Sequence, residues 1–345
     1  MRPGLRVICG WMAALCAFGQ LTPRAGWTTV SGAEDLVQTG SWWCVSGVSV
    51  SDGAIVVAGT TGYTTVLNTA GPILKVSGDF SIMARVSAVG STGVFLSLVG
   101  SLNKGLWWQG LQRLDVGYAG ATVQTNYWTG SSSNSTSRTL GRLPSADPLT
   151  LEVARSGSQI QVFINGSQLS AFNDPGLFAA GSVYLGFNVA PGATLRVSAL
   201  SAAVPTSGAG GASVFVPWRQ TVARSGTGLR DVADQAGFSV GAALDPILLG
   251  NSSLSAVLGR EFNMLVAGSV MGMPELEPAP GQYSYCGSDE LVAFAATNGM
   301  KVRGHTLVWH QDVPAWLSSG GYSASLAQNY LKDFIYTVVG HFKGQ

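Results

Sequence analysis

Charge is what this 345-residue chain has least of: Asp, Glu, Lys and Arg make up 11% of it, and their formal balance at pH 7 is only +1. An average soluble protein carries about 25% charged residues, and a nucleic-acid binder needs its Lys and Arg gathered into a patch or stripe. No such stripe is present, which excludes nucleic acid as a partner. Cysteine is scarce as well, with four in the chain. Cys9 and Cys16 fall near the start, while Cys44 and Cys286 stand far apart and read as unpaired or buried rather than as a disulfide framework. No Cys/His spacing suits zinc; neither a metal nor a cofactor is expected.

The chain also lacks an apolar run long enough to span a bilayer comfortably. Arg2 and Arg6 precede the apolar run Val7 to Phe18, and small residues follow, with Ala17-Phe18-Gly19 as a cleavage site. That is the order of a secretory signal peptide, an uncleaved membrane anchor being the alternative. Residues 1–26 are assigned to this leader and the mature chain to the extracellular space, with no membrane association after cleavage. Asn134, Asn165 and Asn251 open Asn-x-Ser/Thr sequons, which suit an exported chain.

What is present is glycine, hydroxyls and scattered aromatics, with 46 glycines and 10 tryptophans. From Trp27 to Val204 no long helical period appears. Short apolar runs recur instead at 54–58, 80–86, 94–99, 149–154, 160–164, 183–187 and 195–200. Turn signals such as Ser51-Asp52-Gly53, Asn165-Gly166 and Pro191-Gly192 separate them, and several strands at this spacing argue a β-sandwich over residues 27–204. Residues 205–213 are Gly, Ala and Ser without hydrophobic period and read as a flexible linker.

Beyond the linker the period changes. Apolar strands are expected at 236–244, 262–267 and 301–305. Helices are expected at 253–259, at 288–298 with Ser288 as N-cap, and after Ser323, where Leu326, Tyr330, Phe334 and Val338 recur every fourth residue. Strands alternating with helices imply a parallel sheet.

Two stretches carry resemblances. The pattern Leu149-Thr150-Leu151-Glu152-Val153, then Gln159 to Gly166, then Gly181 to Phe187 is similar to the second half of a concanavalin-like jelly roll. That likeness implies sugar stacking, for which Trp107, Trp108, Tyr127 and Trp128 are candidates; neighbours on a strand face opposite ways, so at most one of each pair belongs in the core. In the second stretch, Leu276-Glu277-Pro278, Gly281-Gln282-Tyr283 and Val302-Arg303-Gly304-His305-Thr306-Leu307-Val308-Trp309-His310 resemble family 10 of the glycoside hydrolases, the endo-1,4-β-xylanases. The resemblance covers only residues 214–345.

It implies a multidomain chain in which the jelly-roll sandwich precedes about the first three βα units of a (β/α)8 TIM barrel, whose sites gather at the C-terminal strand ends. The implied activity is endo-hydrolysis of β-1,4-xylan with retention of configuration, the partner being xylan or a related β-1,4-glycan. His305 holds the position that hydrogen-bonds the sugar at the cleavage subsite, Trp309 the position that walls it, and His310 supports Trp309. The Glu-Asn and Lys of the family fall here at Gly268, Ser269 and Gly272, with Met273 where Trp is usual and Asp312 where Gln is usual. Hydrogen bonds to charged groups contribute about 1.5–3 kcal/mol each, so glycone-side binding should be weaker.

Retaining hydrolysis needs two carboxyl groups about 5–5.5 Å apart. The resemblance puts the acid/base glutamate on the fourth barrel strand and the nucleophile on the seventh, both beyond Gln345. The polypeptide is therefore expected to be inactive alone. Among its own acids after the linker, Glu277 and Asp312 read as lying in loops behind strands. Three parallel strands leave open edges, so the sandwich is expected to be the stable part. A non-catalytic carbohydrate-binding protein with a vestigial barrel is the alternative function.

Overall fold

The computed structural model describes residues 21–31, 33, 36–37, 48–59, 64–67, 73–90, 93–101, 112–129, 135–208 and 210–345. Cys9, Cys16, Cys44, Trp107, Trp108 and Asn134 lie outside the described residues, as does most of the expected leader.

In chain order the first strands are β1 (Trp27–Thr29), β2 (Val48–Ser51), β3 (Ala54–Ala58), β4 (Thr64–Leu67), β5 (Ile73–Ser77), β6 (Phe80–Val89), β7 (Val94–Ser101) and β8 (Gln112–Ala119). They are followed by β9 (Thr122–Thr129), β10 (Ser135–Arg142), β11 (Leu149–Ser156), β12 (Gln159–Ile164), β13 (Ser167–Asn173), β14 (Ser182–Val189), β15 (Thr194–Pro205) and β16 (Gly211–Phe215). One eight-stranded sheet runs β13-β12-β11-β6-β15-β3-β2 with β1 on β15, and a second runs β10-β9-β8-β7-β14-β5-β16 with β4 on β14. Alternation along each strand turns one side inward. Ile82 and Leu200 from the first sheet, with Leu98, Leu114 and Phe187 from the second, are fully buried in one core.

The stretch 205–213, expected as a flexible linker, is ordered at both ends. β15 runs to Pro205, and β16 starts at Gly211 and pairs with β5 from Gly211↔Ser77 to Phe215↔Ile73. Small residues hide strand periodicity, and pairing to an edge supplies the order that composition does not show. Leu21 is buried with Met83, Ala199 and Ala203 on the outer side of the first sheet, and Arg24 Nε lies 2.8 Å from Glu152 Oε1. Leu21 and Arg24, inside the span expected as leader, thus contact the first sheet.

The remaining elements are α1 (Leu229–Gln235), β17 (Gly241–Leu244), α2 (Ser252–Glu261), β18 (Met264–Ala267), α3 (Met273–Leu276), α4 (Cys286–Thr297), β19 (Lys301–Arg303), α5 (Ala315–Ser318) and α6 (Ala324–His341). β17, β18 and β19 form a three-stranded parallel sheet in that order. It is open: among the described residues its outer strands each pair only with β18, so no closed barrel is formed. Asn251 caps α2 by accepting from the N–H groups of Ser253 and Leu254, both at 3.1 Å, and Ser323 caps α6. Ser288 is not a cap. α4 begins at Cys286, and the Ser288 hydroxyl donates back to the Tyr285 carbonyl at 2.7 Å. Cys286 is disulfide-bonded, which overturns its reading as an unpaired thiol; two cysteines far apart in sequence carry no spacing signal.

The helices are pinned by one buried cation. Arg230 on α1 is 4% exposed. It donates to the carbonyls of Gly259 at 3.0 Å, Asn298 at 3.1 Å and Gly299 at 2.8 Å. These are the C-terminal ends of α2 and α4, where carbonyls lack helical partners and a positive charge is favoured. Replacing Arg230 by Met leaves three acceptors without this donor, the carbonyls of Gly259 and Asn298 in buried bonds and that of Gly299 in a part-buried one. The expected loss of unfolding free energy is roughly 3 kcal/mol, read from the urea midpoint; a change below about 0.5 kcal/mol would show that the pin carries little.

Candidate functional site

Parallel strands deliver their C-terminal ends to one side of a sheet. Leu244 pairs with Ala267 and Val266 with Arg303, so by continuation of that register Asp245, Gly268 and His305 stand level at the starts of three loops. The first two loops are joined, because Asp245 Oδ1 accepts from the Ser269 N–H at 2.7 Å and from its hydroxyl at 3.0 Å. Gly268 lies close under that carboxylate: a Cβ there would stand 2.6 Å from Asp245 Oδ1, so a larger residue requires Asp245 to shift. Asp245 therefore belongs with Glu277 and Asp312 among the acids that follow strands, and its position directly behind the last apolar residue of β17 was the signal for it.

Asp312 acts on the same loop from the other side. A Cβ on Gly272 would lie 2.6 Å from Asp312 Oδ2. Two positions at which the xylanase resemblance expects large polar side chains, 268 and 272, are thus glycines with carboxylates lying close against them. Met273 beside them is buried.

The third loop carries His305, Trp309 and His310. All three are exposed, Trp309 to 44%, and the Trp309 ring stands edge-on to His310 with centroids 6.5 Å apart. Trp309 walls a groove of ≈ 570 Å³ between this loop and the first half of α6, where Asp312, Tyr322 and Gln328 join it. His305 is not among the residues lining that groove. An apolar cleft of ≈ 310 Å³ between β19 and α6 lies under Gly304 and Leu307, with Met271 and Phe342 on its walls. Trp316, Tyr322 and Tyr330 meet edge to face at 5.1–6.5 Å and anchor the loop on α6.

Glu277 has a different task. It is 3% exposed, its Oε1 accepts from the Gly281 N–H at 2.7 Å, and its backbone carbonyl accepts from Trp316 Nε1 at 2.9 Å. Burial pushes its carboxyl up, and Asp333 adds to the shift. It closes the 277–281 turn and does not line the groove. The adjacent acids of α4, Asp289 and Glu290, separate in the same way. Asp289 Oδ1 sits 2.7 Å from His341 Nε2, tying α4 to α6. Glu290 is 3% exposed and neither oxygen has a hydrogen-bond partner. Burial, with Asp289 adding, pushes its carboxyl up to about 9.

In the sandwich, Tyr127 packs against the core while Trp128 takes the opposite face of β9 beneath Arg113, 4.8 Å from ring centre to guanidinium. Of the sequons, Asn165 is exposed and accepts from the Thr150 N–H at 2.8 Å, and exposed Asn251 is the α2 cap. No group of metal-ligating side chains occurs among the described residues, and none of their helices is long and apolar enough to cross a membrane.

Residues 228–345 match the family model described as glycosyl hydrolase family 10. A beta-1,4-xylanase from Dictyoglomus thermophilum is 41% identical over 108 residues, which is 31% of this chain and 30% of the relative. Endo-1,4-beta-xylanase A of Thermoanaerobacterium saccharolyticum is 39% identical over 113 residues, 31% of this chain and 10% of that one. Among solved structures, xylanase 10B from Thermotoga petrophila RKU-1 in complex with xylobiose is 32% identical, with 35% of this chain and 38% of that chain covered and a TM-score of 0.32. The chain thus spans about a third or less of the length of these relatives.

Glu290 generates a pH prediction. Its carboxyl keeps its proton in the folded chain up to about 9, whereas the unfolded chain releases it near 4.5. Between those values the folded state binds the extra proton, so stability falls as pH rises and is flat outside the window. Glu290→Gln should remove that slope and stabilise the chain at pH 7 by about 2–3 kcal/mol. Unfolding free energies measured at pH 5, 7 and 8.5 check it; parallel curves for the two proteins would refute it.

Proposed function

We propose that residues 228–345 are the opening section of a family 10 glycoside hydrolase domain that cuts β-1,4-xylan internally with retention of configuration. Their share of the site is the loop wall bearing His305, Trp309 and His310. The observation that carries this reading is the coincidence of the family match with three parallel strands whose level C-terminal ends open that loop to solvent.

The same geometry supports the reading that this polypeptide alone does not turn xylan over. Retaining cleavage needs one carboxyl to protonate the leaving oxygen and another to attack, about 5–5.5 Å away. Asp245 is bonded to Ser269, Glu277 is sealed on Gly281, Asp289 meets His341 and Glu290 is buried. Asp312 is the one acid on the groove wall, and a single carboxyl cannot serve both roles. With Gly268 and Gly272 in place of larger polar groups, sugar binding rests on stacking and few hydrogen bonds. Export is part of the proposal: the Cys286 disulfide suits an oxidising compartment, as do Arg2, Arg6 and the apolar run after them.

Titrating the chain with xylotetraose while following tryptophan emission is expected to give a saturable change on the order of millimolar Kd. Trp309→Phe should diminish it, and no reducing ends should appear. Reducing sugar released by the native chain but not by Asp312→Asn would overturn the inactivity; a signal indifferent to Trp309→Phe would overturn the placing of the sugar.

A further inference from the structure

The groove walled by Trp309, read above as a place for xylan, carries a single charge in its wall. Of the residues lining it Asp312 is ionised, Ser318, Tyr322 and Gln328 are polar and neutral, and the rest are apolar or glycine. A local turn sets the acid beside the ring, because the Asp312 N–H donates to the Trp309 carbonyl at 3.0 Å. The carboxylate is half-buried, with Oδ2 against Gly272.

A carboxylate taken partly out of water is ordinarily matched by a cation or by hydrogen-bond donors. The other acids that follow strands have donors: Asp245 accepts from Ser269 and Glu277 from Gly281. Among the described residues Asp312 takes part in no ion pair, and no donor reaches its oxygens. Gly268 and Gly272 bring no charge to the neighbouring loop. The lysine of α6, Lys332, holds its ammonium 5.9 Å over the Tyr336 ring, and neither of the two lines the groove. One uncompensated negative charge therefore stands next to the exposed Trp309 ring.

We propose, on the reading of this groove as a xylan site, that Asp312 gives it charge selectivity: neutral β-1,4-xylan, bare or arabinose-bearing, is accepted, and chains bearing glucuronic acid are repelled. Trp309 can stack on either chain, so the discrimination resides in the carboxylate. Repulsion between two carboxylates is stronger in a half-buried groove than in bulk water. Salt weakens it, the screening length falling from about 30 Å at 0.01 M to about 3 Å at 1 M. The former exceeds the length of a tetrasaccharide, so a uronate anywhere along a short chain senses Asp312 at low salt.

Tryptophan-emission titrations of the full chain, with xylotetraose and with xylotetraose carrying one glucuronic acid, give the ratio of the two Kd values. At 0.01 M salt the acidic ligand is expected to bind about ten-fold more weakly, and at 1 M salt the ratio should shrink to within about two-fold. Asp312→Asn, which keeps the shape and removes the charge, should shrink it to the same extent at low salt. Equal affinities in the native chain at low salt overturn the selectivity while leaving the groove a sugar site. A ratio that survives Asp312→Asn or 1 M salt overturns it too, since the bulk of the substituent is then what counts. Silence from both ligands overturns the sugar reading of the groove and the selectivity with it. If the variant does not fold, the salt series of the native chain decides.

Discussion

The level of the strands in the parallel sheet is set at the other end of the sheet, by buried polar groups that hold chain segments at fixed heights. Arg230 grips the last carbonyls of α2 and α4, the two helices that lead directly into β18 and β19. Asn263 then takes over: its side chain accepts from the Val240 N–H and donates to Asp234 and Phe238, while its backbone carbonyl accepts from the Lys301 N–H. One cation and one amide thereby fix where all three strands begin. A slip of one residue in β18 would turn buried Leu265 and Ala267 outward and bring Met264 and Val266 in. It would also separate Asp245 from Ser269, and with that the common origin of the loops.

The structure places the loop-bearing unit against the sandwich rather than beyond a hinge. β16 continues the second sheet, a Cβ on Gly250 would stand 3.1 Å from Ile73 of β5, and one hydrophobic cluster extends from the sandwich into the residues around α4 and α6. The low charge of the chain is consistent with this, since few ionised groups have to be kept out of so continuous an interior.

What was legible in the sequence follows from where pattern reflects packing. Ala54–Ala58 was readable to the residue because it is an apolar run buried along most of its length, whereas β10 and β13, at the ends of their sheets, carry few large apolar residues (Leu140 in one, Leu169 and Phe172 in the other) among polar ones and show no regular alternation. The positions of His305 and Trp309 at a strand end were readable from a local motif. The contacts that shape the site were not: Asp245 with Ser269, Asp312 with Gly272 and Arg230 with Asn298 each join residues tens of positions apart. Glu290 shows the converse, an acid on a helix expected from the sequence that the fold buries.

The edge position of β16 limits how the sandwich can be transplanted. A fragment ending at residue 204 or 210 would strip five residues from the side of β5 and uncover its amides and carbonyls. An uncovered edge of that kind recruits strands from other molecules. Chimeras that graft the sandwich onto a foreign enzyme must therefore carry the chain through Phe215 to avoid making a seed for fibrils.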